Sequence, residues 1–208
     1  MVTIRLSKSK LRNALWLLAL VLILVACNGA ADGNGGGDAA PTPLGVIPVD
    51  DTLVYVPAGP FFMGSTEEDV LAREDEFPQH TVRLDGFYIY KNEVSNAAYA
   101  QCVEDGDCTP PTNLGEGPST YYANPEYALY PVVGVNWFQA AEYCAWADAR
   151  LPSEAEWEKT ARGEFGDPFP WGEEAPDCDL TNMLGCFDED ETQKIGQFLE
   201  GESQYRAL

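Results

Sequence analysis

The sequence holds one histidine, His80, in 208 residues. That excludes metal centres built on two or three histidines of this chain. It also leaves one residue able to act as the commonest physiological general base. His80 borders an alternating, strand-like stretch and reads as structural. Basic side chains are scarce as well, 12 Lys and Arg against 34 Asp and Glu, for a formal net charge of −22. Such a field repels nucleic acid and anionic lipid surfaces, so a nucleic-acid partner is excluded. It is compatible with hard cations such as calcium, which take oxygen ligands. No apolar run reaches the roughly 20 residues of a membrane-spanning helix, and no internal repeat is evident.

The N-terminus carries an export signal. Arg5, Lys8, Lys10 and Arg12 form a basic region, followed by an apolar stretch from Ala14 to Val25 and then Leu24-Val25-Ala26-Cys27. A short apolar run ending in small residues reads as a cleaved secretory signal. An uncleaved anchor helix is the alternative, but the length and flanks do not suit a span. Leu24 to Cys27 resembles the lipobox of bacterial lipoproteins, which implies a lipid on Cys27 and cleavage before it. The expectation is a signal peptide over 1–26 and an exported protein anchored to the outer face of a bacterial membrane. Residues 27–50, the lipidated cysteine and a Gly-, Ala-, Asp- and Pro-rich stretch, cannot bury a core and read as a flexible linker. About 160 residues remain, a normal size for one domain. Four basic and no acidic residues leave with the signal, so eight basic residues then face 34 acidic ones, for a net charge of −26.

Five cysteines follow Cys27: Cys102, Cys108, Cys144, Cys178 and Cys186. An oxidising compartment permits disulfides, and five thiols allow at most two. Sequence alone does not fix the pairing. Cys102–Cys108 and Cys178–Cys186 are favoured because each closes a short polar segment. Cys144 is left over, on a helical apolar stripe with Trp137 and Ala141, and reads as a buried, inert thiol. Asp188-Glu189-Asp190-Glu191 is the densest acidic run, and such runs are usually solvated.

The pattern predicts strands at 52–57, 61–64, 80–84, 87–91 and 131–135. Asp85-Gly86 predicts a hairpin between the third and fourth. Helices are expected from about Asn92 to Glu104, with Ser95 as N-cap, and from Trp137 to Ala147, capped by Asn136 and Gln139. Ser153-Glu154-Ala155-Glu156 opens a third helix that ends at Gly163. Residues 107–130 read as a long loop, with Tyr121, Tyr122, Tyr127 and Tyr130 able to pack it down. The mixture is α+β with much coil.

Several stretches resemble the formylglycine-generating enzyme family, the sulfatase-modifying factors. They are Val56-Pro57-Ala58-Gly59, Phe62-Met63-Gly64, Asn92 to Tyr99, Pro131 to Trp137, Ala140 to Cys144, Arg150-Leu151-Pro152-Ser153-Glu154-Ala155-Glu156-Trp157-Glu158, Ala161-Arg162-Gly163 and Pro170-Trp171-Gly172. They cover most of residues 52–200 in family order. The resemblance implies a C-type-lectin-like α+β fold, rich in irregular structure and steadied by calcium, disulfides or both. It implies an incomplete domain over 51–208. Active members carry a Gly-Asn-Val-Trp-Glu-Trp-like segment, an Arg-Gly-Gly-Ser segment and two copper(I)-binding cysteines in their last third, and none of these occurs here. No catalytic residue is therefore carried over. The resemblance also implies a calcium site after the Pro-Trp-Gly turn, from the Asn182 side chain and the Met183 carbonyl, with Asp188 or Asp190 in a loop shorter than usual. Asn182 reads equally well as a turn residue that caps its own backbone.

Three functions stand open at this point. One is copper- and oxygen-dependent oxidation of a sulfatase cysteine to formylglycine, which needs a missing C-terminal segment. The second is a non-catalytic, lipid-tethered module that binds an extracellular protein or peptide. The third is a fragment, whose core strands would lack partners.

Overall fold

The computed structural model describes Thr3–Ile4 and residues 53–208, apart from 71, 112–121, 123 and 188–191. The leader beyond Ile4, Cys27, the linker, Tyr121, Asp188 and Asp190 lie outside the described residues. Among the described residues no helix is long and apolar enough to cross a membrane.

The strands, in chain order, are β1 (Thr3–Ile4), β2 (Leu53–Val56), β3 (Gly59–Met63), β4 (His80–Leu84), β5 (Phe87–Tyr90) and β6 (Ala149–Arg150). One sheet has the order β2-β5-β1-β6, and β3 and β4 form a second, two-stranded sheet. The two sheets are one ribbon with a break in it. Leu53 pairs with Tyr90 and Val56 with Phe87. Beyond the break, Gly59 pairs with Leu84 and Met63 with His80. The antiparallel register is the same on both sides. Only Pro57-Ala58 and Asp85-Gly86 fall out of the ladder.

This corrects the predicted hairpin. Asp85-Gly86 does not turn β4 onto β5, and both strands pair with the 53–63 segment instead. Pro57 has no N–H to give the ladder, so the ribbon bends where it stands. Gly86 is needed for a second reason: a Cβ there would lie 2.3 Å from the Tyr55 hydroxyl. The Tyr55 ring packs across the break and meets Tyr88 at 5.0 Å.

Three helices follow, α1 (Asn96–Asp105), α2 (Trp137–Trp146) and α3 (Glu154–Arg162). Each begins where its capping residues predict. The Ser95 hydroxyl accepts from Ala98 N, and Gly106, at φ +86°, closes α1 with its N–H on Cys102 and Val103 carbonyls. Both reciprocal bonds of a capping box form at Asn136/Gln139 and again at Ser153/Glu156. These caps satisfy N–H groups that a helix start otherwise leaves orphaned.

Tyr90, Tyr99, Cys102, Cys108, Tyr143 and Cys144 form one core cluster, and Val56, Phe87 and Ile89 a second. Tyr99 stacks on Tyr143 at 5.7 Å and meets Tyr122 edge-on at 6.1 Å, so Tyr122 does pin the long loop. Tyr127 and Tyr130 instead pack on each other, at 5.0 Å.

Other expectations are corrected. Residues 131–135 make no strand: Pro131 forms a single bridge to Ser95, and Val132 N donates to the Val94 carbonyl at 2.8 Å. Trp137 is 67% exposed, so α2 buries Gln139, Tyr143 and Cys144 rather than a stripe through Trp137. Gln139 is buried because its side chain donates to the Pro110 carbonyl, 2.8 Å away, and so ties the loop to α2. Trp157 is 52% exposed, and α3 turns a polar face inward instead.

That inward face repairs the ribbon. Lys159 has no exposed surface, and its Nζ donates to the carbonyls of Pro57 (2.7 Å) and Gly59 (3.3 Å), which flank the break. Burial pushes its pKa down, with Glu164 opposing and Arg83 assisting the shift. Lys159→Met keeps the bulk but strands two acceptors beside the core. Each buried unsatisfied group costs about 1–3 kcal/mol. Urea denaturation of this variant is expected to show a loss of about 2–4 kcal/mol, with a midpoint shifted and a slope unchanged.

Candidate functional site

The best-defined polar constellation is the face of α3 and the loops it reaches. Four side chains of this helix tie down four other segments. Glu156 takes a two-pronged contact from Arg150, at 2.7 and 2.6 Å, and also accepts from Ser153 N at 2.8 Å. The Arg150 hydrogen bonds hold its carboxyl below the usual range, against a smaller opposing effect of burial. Glu158 accepts from Gly64 N (2.8 Å) and from Arg162 (2.7 Å). Arg162 spreads its donors over the Gly64, Gly166 and Asp167 carbonyls at 2.8–3.1 Å. Gly64 stands at φ +85°, and a Cβ there would lie 2.5 Å from the Glu76 carbonyl. No other residue would let both of its backbone groups meet this pair.

Chemically this is a brace. Each of these charges has an internal partner. Sequence reading found the Ser153/Glu156 capping box but not the work of Glu158, Lys159 and Arg162. Local sequence carried no such signal, because α3 holds six polar residues in nine and reads as an ordinary solvated helix.

The second constellation is the loop after Pro170-Trp171-Gly172. Cys178 and Cys186 are bonded, with Cα atoms 5.2 Å apart. Inside that loop Asp177 Oδ1 accepts from the N–H groups of Asp179 (2.9 Å) and Leu180 (3.1 Å), fixing the entry. The Met183 carbonyl accepts from Cys186 N at 3.1 Å. Asn182 and Met183 are both exposed. The loop is packed against a short 3-10 turn at Leu199–Gly201. A Cβ on Gly201 would come within 2.0 Å of the Leu180 carbonyl, so only glycine fits. Phe187 and Phe198 close the same contact at 6.0 Å.

Of the expected calcium ligands, Asn182 and Met183 are thus neighbours on an ordered, cross-linked loop. Asp188 and Asp190 fall outside the described residues. Among the described residues no group of three or more His, Cys, Asp or Glu stands close enough to hold a metal. Asn182 and Met183 offer oxygens of the kind calcium takes, and the ion needs at least six.

Cysteine chemistry is decided within the described residues. Cys102 and Cys108 are bonded, Cα atoms 5.3 Å apart, across the C-terminal turn of α1. Cys144 is free and buried. Burial pushes its thiol up to about 11, so it is neutral at physiological pH. Copper(I) selects thiolates, and four of these five sulfurs are bridged while the fifth is protonated. The donor set does not fit a copper(I) site.

With this geometry in hand, likeness to known proteins can be weighed. Residues 43–202 match the sulfatase-modifying factor enzyme 1-like domain. The chain belongs to that family. It is 33% identical over 199 residues to hercynine oxygenase of Mycolicibacterium smegmatis, covering 80% of this chain and 45% of that protein. It is 31% identical over 159 residues to the formylglycine-generating enzyme of Thermomonospora curvata, covering 59% of this chain and 52% of that one. Among solved structures, PvdO from Pseudomonas aeruginosa superposes with a TM-score of 0.58 at 28% identity, covering 73% of this chain and 65% of PvdO. The α+β fold expected from the resemblance is therefore the fold observed. The chain spans about half the length of these two curated relatives.

The Arg150–Glu156 pair makes acid stability testable. A carboxyl whose pKa is lowered on folding contributes stability above its ordinary pKa, and loses it as pH falls through the lowered value. Glu156→Gln is expected to lower Tm at pH 7 by about 2–8 °C, from about 1–2 kcal/mol. The gap to the parent protein narrows steadily below pH 4. Thermal melts followed by circular dichroism from pH 2 to 7 check it.

Proposed function

We propose that the protein is an exported, lipid-anchored member of the sulfatase-modifying factor family that serves as a binding module rather than as a cysteine oxidase. The state of its sulfurs carries this reading: among the described residues, two disulfides and a buried, protonated Cys144 leave no thiolate pair for copper(I). Supporting it are the basic-apolar-Cys27 signal and the net charge of −26 that remains without residues 1–26. The lipid on Cys27 holds the domain at the outer face of the membrane. The linker lets it reach an extracellular protein or peptide.

The second reading is an oxidase of the formylglycine-generating kind. The names of the relatives favour it, and they extend over regions with no counterpart in these 208 residues. Such a protein would draw its copper ligands from a segment beyond Leu208. One preparation separates the two. The native protein is extracted from membranes and its intact mass measured, and oxygen uptake is followed with a cysteine-containing peptide. A mass that includes a lipid on Cys27, with uptake no faster than a no-protein control, is expected. Copper-dependent uptake restores the oxidase.

We also propose that Asn182 and the Met183 carbonyl hold calcium together with Asp188 or Asp190. Calcium there would tie the Cys178–Cys186 loop to the segment that follows it. At calcium 100 times its dissociation constant the gain is about 2.7 kcal/mol, which raises Tm by several degrees. Asn182→Ala is expected to abolish the rise, with its melt the same in calcium as in EDTA. An unchanged parent melt with calcium would contradict the site.

A further inference from the structure

β5 and β6 are parallel neighbours without being hydrogen-bonded to each other. Between them lies β1, antiparallel to both. Thr3 is paired with Ile89 on one side and Arg150 on the other. Ile4 is paired with Tyr88 and Ala149. Adjacent strands stand about 4.8 Å apart, so β5 and β6 are separated by roughly 10 Å, the width of one strand. The floor of this space belongs to the core: Ile89 and Tyr90 are buried on β5, and Ala149 packs on the cluster that contains Tyr90. A strand is therefore required there, because both edges otherwise expose unpaired backbone groups over the core.

The residues that fill the space belong to the leader. Processing before Cys27 removes Thr3 and Ile4 and leaves the middle of the sheet one strand short. We propose that the gap between β5 and β6 is a strand-acceptor groove in the processed protein, and that its occupant is an extended, basic-flanked segment of a second polypeptide. The inference rests on the lipoprotein reading above and names the partner site of that binding module. Three observations support it. A strand is seated there, so the width and both registers suit a polypeptide backbone. Recognition by strand addition draws affinity from main-chain bonds and needs only two or three residues in register. The seated segment is followed by Arg5, Lys8, Lys10 and Arg12, and a processed chain of net charge −26 attracts such flanks.

The test uses the processed protein extracted from membranes, with a synthetic peptide of the sequence of residues 1–6 as the probe. Hydrogen exchange is read at the amides of Tyr88, Ile89, Ala149 and Arg150. Successive strand N–H groups point to opposite sides, so one amide of each pair faces the gap, and without peptide that one is expected to exchange quickly while the Tyr88 or Ile89 amide that faces β2 stays slow. The peptide is expected to slow the gap-facing amides at least tenfold, and less so as salt is raised. A second peptide with Thr3→Pro, which lacks a ladder donor, is expected to have no effect. Gap-facing amides already slow in the processed protein and indifferent to the first peptide would overturn the groove. Equal slowing by both peptides would overturn it too. Intact mass, measured on the same preparation, keeps the two readings apart. A chain that still begins at Met1 refutes processing. In that case Thr3→Pro in the chain itself is expected to speed the same gap-facing amides, and no change would overturn the groove on its own.

Discussion

The ammonium of Lys159 is the contact on which the fold turns. A proline in the first strand of the 53–63/80–90 ribbon removes a ladder donor and bends it, and the carbonyls beside the bend lose their strand partners. A lysine from a helix distant in sequence supplies two donors at that point. Burying an unpaired charge is costly, so the ion persists only because both carbonyls face it. The same contact positions α3. Once α3 is set, Glu158 and Arg162 reach both backbone groups of Gly64 and close the far end of the ribbon. Glu156 fixes the approach of β6 through Arg150.

Around this brace the rest is held locally. One disulfide shuts the end of α1, and another shuts the loop that contains Asn182 and Met183. The C-terminal residues return to the first sheet, where Leu208 N donates to the Lys91 carbonyl at 2.8 Å and Lys91 pairs with Glu202. Tyr205 then packs on the Val56, Phe87 and Ile89 cluster, with burial pushing its hydroxyl up to about 12. Little of the remaining chain is regular, which is why so many stabilising contacts are side chain to backbone.

Legibility in the sequence followed the range of the forces involved. Caps are decided within four residues, and Ser95, Asn136 and Ser153 all start helices as expected. The short disulfide loops, Cys102 to Cys108 and Cys178 to Cys186, were readable for the same reason. Strand partners were not. The alternation at 80–84 and 87–91 was visible, but Asp85-Gly86 imitates a hairpin turn. Nothing local reveals that Tyr55, some 30 residues earlier, packs over Gly86. Trp137 misled because a large apolar side chain was taken as inward, and nothing local marks Lys159 and Thr160 as the residues that α3 buries. The family was legible from ordered motifs. The closed loop that carries Asn182 and Met183 was legible from its two cysteines.

Native-state hydrogen exchange along α3 tests the central claim most directly. If the Lys159 contact couples the helix to the ribbon, the amides of Lys159 to Arg162 open only together with those of Val56 and Phe61. All of them then exchange at the free energy of global unfolding, and all lose protection equally in Lys159→Met. If α3 opens alone, at a lower free energy and with the ribbon still protected, the helix is a passenger and the account is wrong.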